Sequence, residues 1–250
     1  MKVYFIGAGP GDPDLLTIKA KKVIEESDVI IYAGSLINPE ILKYAKKDAD
    51  LFDSSGMTLE EIKEVIYEAV NNKKTVARIH SGDPSIYGAI QEQIDFLEEK
   101  KIEFEIIPGV SSFLSAAASL KREYTIPEVS QTLIITRISG RTKVPEKESL
   151  RELSRHKASM CIFLSAHMID EVVNELINFY DENTPVAVVY KASLPDEKIV
   201  HGNLGNIAEK VKNERIERKA LILVGDFLMS KGKRSKLYDK DFTHSFRDNK

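Results

Sequence analysis

The chain has 250 residues, 42% hydrophobic and 30% charged, which is enough apolar material for one large domain or two small ones, each with its own core. Its 36 Lys and Arg against 39 Asp and Glu leave a net charge of −3, so no general field draws it to nucleic acid or to an anionic membrane. The single cysteine, Cys161, cannot build an internal disulfide framework, the apolar stretch at the N-terminus is too short for a signal segment, and no run reaches the length of a membrane span, so a cytoplasmic location is expected.

Short β-branched runs alternate with longer stretches of helical periodicity, a pattern that predicts βα units and hence an α/β fold with mainly parallel sheets. In the first half the strands are expected at Val3–Ile6, Val29–Tyr32, Thr75–Ile79 and Phe104–Ile107. Helices are expected at Pro13–Glu25, Pro39–Ala45, Leu59–Asn71, Ser85–Glu99 and Val110–Leu120. The periodicity then breaks in a charged, proline-containing stretch, so residues 121–131 are expected as a linker between an N-terminal lobe, 1–120, and a C-terminal lobe, 132–229. In the second lobe strands are expected at Leu133–Thr136, Met160–Leu164, Val186–Tyr190 and Ala220–Val224, with helices near Ser149–Arg155, Met168–Tyr180 and Leu204–Lys212. By composition, residues 230–250 read as a loose polar tail.

The sharpest local feature is Gly7-Ala8-Gly9-Pro10-Gly11-Asp12-Pro13, directly after the first strand and directly before a helix. Glycines there let the backbone turn tightly and approach a ligand, while Asp12 can cap the helix with Pro13 in its first turn. The run also reads simply as a well-made strand-to-helix turn. A dinucleotide fingerprint would need glycine where Asp12 stands, and a carboxylate there would repel a pyrophosphate. A second turn, His80-Ser81-Gly82-Asp83-Pro84-Ser85-Ile86-Tyr87-Gly88, repeats Gly-Asp-Pro and is expected to open a helix in the same way. A third, Pro108-Gly109-Val110-Ser111-Ser112, sits at the same end of another strand and leads into the small-residue stretch Ala116-Ala117-Ala118, which equally suits a tightly packed helix. Ligands of open α/β sheets lie beyond the carboxyl ends of the strands, where strand order reverses, so these loops predict a shared crevice.

Taken in order, the three loops resemble the signature loops of the tetrapyrrole (corrin/porphyrin) methylases. Narrower features resemble the subgroup of that family that methylates C-11 of cobalt-precorrin-4 or precorrin-4 in cobalamin biosynthesis: Tyr32-Ala33-Gly34-Ser35-Leu36, Glu128-Val129-Ser130-Gln131-Thr132, Thr136-Arg137 with Gly140-Arg141-Thr142, and Phe163-Leu164-Ser165-Ala166-His167. Ser235-Lys236-Leu237-Tyr238 and Phe242-Thr243-His244-Ser245-Phe246-Arg247 resemble that subgroup's ending and revise the compositional reading of the tail. The resemblance implies two α/β lobes with S-adenosyl-L-methionine in a cleft between them, a homodimer, and a small-molecule tetrapyrrole substrate. Carried over by position, the cofactor contacts would be Pro10, Ser81, Gly82, Asp83, Tyr87, Ser111 and Ser112 from the first lobe. From the second they would be Leu164, Ala192, Ala220 and Leu221, although Leu164 and Leu221 also read as ordinary core residues of strands.

A substrate rimmed with acetates and propionates calls for cations, and the candidates are Arg122, Arg137, Arg141 and Lys191, each of which also reads as a solvated surface cation. The sulfonium of S-adenosylmethionine is an activated donor, so positioning and exclusion of water dominate and no protein nucleophile is required. The sequence accordingly offers neither a nucleophile elbow nor a His/Cys metal cluster, and any cobalt would arrive inside the substrate. The base that removes the last proton is open among His80, Tyr87 and solvent. Two other readings share these loops. One is a methylase of the same fold acting on ribosomal RNA or on a modified histidine of a translation factor. The other is a non-catalytic nucleotide-binding sensor, against which Asp12 counts.

Overall fold

The computed structural model describes residues 1–229 together with Ser235, Phe242 and Thr243. Most of the tail that resembles the subgroup's ending therefore lies outside the described residues. Two compact units divide the chain: Met1–Ser115 with Lys191–Asp196 form the first, and Ala116–Tyr190 with the residues from Glu197 onward form the second.

In the first unit, β1 (Val3–Gly7), β2 (Val29–Tyr32), β3 (Asp50–Asp53), β4 (Val76–His80) and β5 (Phe104–Ile107) form one sheet in the order β3-β2-β4-β1-β5. Every pairing in it is parallel. The chain leaves β1 toward β2 and leaves β4 toward β5, on opposite sides of the adjacent β1–β4 pair, so the strand order reverses there. Apolar cores lie on both faces. Phe5, Val76 and Ile31 meet Ile62, Ile66 and Ala69 of α2 (Leu59–Asn71) on one, while Ile6, Ala77 and Ile79 meet Ala20 and Ile24 of α1 (Ile18–Glu26) on the other. Ile62, Ile66 and Ala69 share one face of α2 by helical spacing, and each fully buried aliphatic such as Ile66 contributes ~1.5–3 kcal/mol. A Thr58–Glu61 capping box fixes where α2 begins.

Several expected elements change on folding. The helix expected from Ser85 starts only at Gln91, as α3 (Gln91–Glu99), because Tyr87 and Ala89 take left-handed φ values of 55° and 50° that no α-helix accepts. Pro13–Leu15 is a separate 3-10 turn capped by Asp12, and α1 begins anew after its own cap, Thr17. Pro39–Tyr44 is likewise 3-10. Strand β3, Asp-Leu-Phe-Asp at the sheet edge, carries too few apolar residues to stand out in the sequence.

The second unit holds β6 (Leu133–Arg137), β7 (Ser159–Phe163), β8 (Pro185–Tyr190), β9 (Lys198–Asn203) and β10 (Ala220–Val224), ordered β6-β7-β10-β8-β9. Only β6–β7 is parallel, whereas β7–β10, β10–β8 and β8–β9 are antiparallel. The expectation of a mainly parallel sheet therefore holds for the first unit and not for this one. The physical reason is β9, absent from the sequence reading. Its connection from β8, residues 191–197, is too short for the crossover that a parallel neighbour requires. α5 (Leu150–Ser154), α6 (Ile169–Leu176) and α7 (Ile207–Asn213) bury Leu150, Val172, Leu176, Ile207 and Val211 in a core with Met160, Ile162 and Ile222.

α4 (Ser112–Leu120) is the helix in which the chain passes from the first unit to the second. Beyond it the stretch expected as a linker is fastened down. Ser159 Oγ donates to the Tyr124 carbonyl at 2.7 Å, Ser159 N donates to Ser130 Oγ at 3.0 Å, and the Tyr124 ring lies 5.0 Å from that of Phe227. Residues 121–131 thus belong to the second unit.

Candidate active site

The reversal of strand order sets the loops after β1, β4 and β5 side by side. Ala8 N donates to the His80 carbonyl at 2.8 Å, and Gly9 and Gly82 exchange two backbone bonds, at 3.2 and 2.7 Å. A Cβ on Gly7 would lie 2.5 Å from Gly109 N and 2.7 Å from the Gly82 carbonyl oxygen, and one on Gly109 would lie 2.2 Å from that oxygen. Only glycine lets these three backbones touch. Asp83 completes the assembly, with Oδ2 accepting from Gly109 N at 2.9 Å and Oδ1 from Ser85 N at 2.8 Å. Gly82 and Ser111 are also neighbours, since a Cβ on Gly82 would meet Ser111 Cα at 3.5 Å.

Other segments join the same end of the sheet. Asn38 Nδ2, from the loop after β2, donates to the Gly11 carbonyl at 2.8 Å. Ser193 Oγ accepts from Asp12 N at 3.0 Å, and the Leu194 side chain closes on Gly11. Ala192, expected from the resemblance as a second-lobe contact, belongs to this first unit and is buried. So does Lys191, which pairs with Asp196. The first unit thus gathers Gly82, Asp83 and Ser111 with Gly11 and the 191–196 segment; Ser81 precedes Gly82, Ser112 opens α4, and Tyr87 is 45% exposed on the loop above.

In the second unit, the antiparallel β10 sets Ala220 beside Tyr190, and continuing the β7–β10 register by two pairs would set it opposite Leu164. Leu164 is not the core residue its strand position suggests: it is 62% exposed with a left-handed φ of 54°. Leu221 is buried in β10. Arg137 ends β6 beside Phe163, and its guanidinium is turned onto its own loop, donating to the Thr142 carbonyl at 2.8 Å. Arg141 and Arg122 are exposed.

Two titratable groups in the first unit stand far from their usual values. Burial, with the nearby Arg78 charge, lowers the His80 pKa to about 3, and its Nε2 has no hydrogen-bond partner. A ring so weakly basic and only 6% exposed is a poor proton acceptor, which counts against His80 as the base. Burial lowers Arg78 to about 10, so it stays charged at neutral pH among neutral partners. Cys161 is buried in β7 and burial raises its thiol pKa, as befits a small hydrophobe. Among the described residues no three His, Cys, Asp or Glu side chains are placed to hold a metal, and no helix is long and apolar enough to cross a membrane.

Asn38, Ser193 and Leu194 are absent from the sequence reading, because single polar or aliphatic residues in loops carry no periodic signal. Arg78 did leave one, a lone cation inside the apolar strand Val76-Ala77-Arg78-Ile79.

A parallel sheet with glycine-built loops crowded at its point of strand reversal, joined to a second, mixed α/β unit, is the arrangement of an α/β protein that takes a small ligand beyond the strand ends. The chain belongs to the tetrapyrrole (corrin/porphyrin) methylase family, whose model matches residues 2–208. It is 61% identical over 248 residues to the cobalt-precorrin-4 C(11)-methyltransferase of Methanocaldococcus jannaschii, a match spanning 98% of this chain and 96% of that protein. An X-ray structure of a cobalt precorrin-4 methyltransferase superposes with a TM-score of 0.89 at 43% identity, covering 92% of this chain and 96% of the other. The uroporphyrin-III C-methyl transferase of Thermus thermophilus, solved with S-adenosyl homocysteine, gives a TM-score of 0.78 at 26% identity, covering 91% and 99%.

Proposed function

We propose that this methyltransferase moves a methyl group from S-adenosylmethionine to C-11 of cobalt-precorrin-4 or precorrin-4 in cobalamin biosynthesis, working in the cytoplasm as a homodimer. The observation that supports it best is the mutual contact of Gly7, Gly82 and Gly109, with Ser111 against Gly82, at the strand reversal. The residues present fit the cofactor. Ser81, Ser111 and the backbone N–H groups that open α4 supply donors for the carboxylate of an amino-acid moiety, and the glycines keep the loop backbones close together.

When bound, the cofactor supplies a methyl group on a positively charged sulfur that needs no further activation. The chain's own task is then to orient and to exclude water. Asp83 holds the second and third loops at a fixed separation, and Asn38 and Ser193 hold the first through Gly11 and Asp12. Pro10, Ser81, Gly82, Ser111, Ser112 and Ala192 are the proposed contacts in this unit. Arg137 and Arg141 are the proposed partners of substrate carboxylates; Arg137 is already bent toward its own loop, which leaves Arg141 as the more available cation.

Mass spectrometry of the corrinoid formed from methyl-labelled S-adenosylmethionine, with precorrin-4 and cobalt-precorrin-4 offered separately, tests the proposal. One added labelled methyl, located at C-11 by fragmentation, is expected. Binding of S-adenosylhomocysteine without transfer to either acceptor would refute it.

A further inference from the structure

Arg78 is buried in β4, yet it has no acidic partner among the ion pairs of the described residues. Instead its Nε donates to Gln93 Oε1 at 3.3 Å, and its Nη1 donates to Ser54 Oγ at 2.9 Å and to the Ile31 carbonyl at 3.4 Å. Each partner leads on to a loop. Ser54 Oγ donates to the Tyr32 carbonyl at 3.0 Å, at the root of the segment Ala33–Ile37, while Gln93 Nε2 donates to the Ala89 carbonyl at 3.1 Å, inside the loop 81–90. The two partners of Gln93 also fix its amide orientation, since Arg78 can only donate and a carbonyl can only accept.

One end of this chain of bonds is held in a costly conformation and the other is closely packed. Tyr87 and Ala89 are left-handed, and a Cβ on Gly88 would lie 2.0 Å from the Pro84 carbonyl oxygen. On the other side, Gly34 N and Ser55 N both donate to Asp53 Oδ1 at 2.9 Å, and a Cβ on Gly34 would strike that carboxylate. A buried guanidinium facing only neutral acceptors is an expensive way to fill a core, where an apolar side chain of similar volume is often no worse for stability. What it supplies here is a rigid fork joining two loops that start from different strands.

We propose that Arg78, with Gln93 and Ser54, is a positioning clasp that couples the loop after β2 to the Gly-Asp-Pro loop after β4, so that the two are set together. The coupling rests on the hydrogen bonds alone; its effect on methyl transfer rests on the function proposed above.

Residue-resolved hydrogen exchange on the full chain separates the two. Gln93→Leu touches only the side of the loop 81–90, yet it should speed exchange at the amides of Leu36 and Ile37, both bonded to the Ala33 carbonyl, by about tenfold. Coupling is reciprocal, so Ser54→Ala, a change at a half-buried site, should speed the Ile86 amide, which is bonded to the Asp83 carbonyl, by a similar factor. The thermal midpoint should stay within a few degrees in the Ser54 variant, and its KM for the tetrapyrrole should rise several-fold more than its kcat falls. If Gln93→Leu does not fold, the Ser54→Ala measurement decides. Exchange within twofold of the parent at the distant amides in either folded variant overturns the clasp, whatever the enzyme does. Absence of methyl transfer by the unaltered chain sinks the functional reading and leaves the exchange result standing.

Discussion

Replacing Asp83 tests whether the glycine-built loops form a working site. Its carboxylate accepts from Ser85 N within its own turn and from Gly109 N across to the next loop. A bond from a backbone N–H to a charged acceptor contributes about 1.5–3 kcal/mol, and the half-buried position of Asp83 argues for the lower end. The Ser85 bond shapes only the local turn, so the loss that reaches the site is one cross-loop tie of ~1.5 kcal/mol, or about tenfold in affinity. Asp83→Asn is the sharper variant than Asp83→Ala. It keeps an oxygen for Ser85 but turns an amide N–H toward the N–H of Gly109, so it should weaken binding at least as much. Calorimetric titration with S-adenosylhomocysteine should show a Kd raised about tenfold in both. An Asn variant that is folded and binds as tightly as the parent would refute the bracing role.

Gly109→Ala forces a methyl group into the Gly82 carbonyl and the Gly7 backbone; overpacking of this kind costs about 1–3 kcal/mol, and a lowered thermal midpoint together with lost cofactor binding is expected. His80 titrates at about 3 when folded and near 6.5 when unfolded, so below pH 6.5 the unfolded chain takes up the proton first. Its contribution is complete above that pH and fades as pH falls toward 3, reaching ~2 kcal/mol of loss by pH 5. Denaturant titrations at pH 7 and 5 should show that His80→Leu removes this part of the pH dependence, and an unchanged difference would count against it. Arg141→Glu should raise KM for the tetrapyrrole about tenfold with the S-adenosylhomocysteine Kd unaltered; equal KM values would clear Arg141 of any part in holding carboxylates.

The sequence showed most where backbone chemistry constrains residue type. Gly7, Gly82, Gly109 and both Gly-Asp-Pro runs were legible as turns, because nothing but glycine tolerates such approaches, and the structure brings them into contact. The first sheet, apart from its edge strand β3, was legible from its continuous aliphatic strands. The second was only partly so, since Lys198–Asn203 alternates too weakly to announce an edge strand, and without it the antiparallel pairing could not be read. Periodicity also overextended the helix before α3, where two left-handed residues, Tyr87 and Ala89, break it without any mark in the pattern of apolar residues. Leu164 separates its two readings: as an apolar residue ending a core strand it also read as buried, and it lies mostly exposed.

The six residues Lys191–Asp196 are far along the chain from the unit they complete. A nascent polypeptide that has emerged only as far as Ser115 carries all five strands of its first sheet, yet lacks the hydroxyl that caps Asp12 and the leucine that covers Gly11. Those loops can reach their final form only after about eighty further residues have been synthesised. A gene fragment ending at Ser115 should therefore yield a sheet with an unfinished rim, and supplying the missing hexapeptide in trans is a direct way to see how much of the binding surface it shapes.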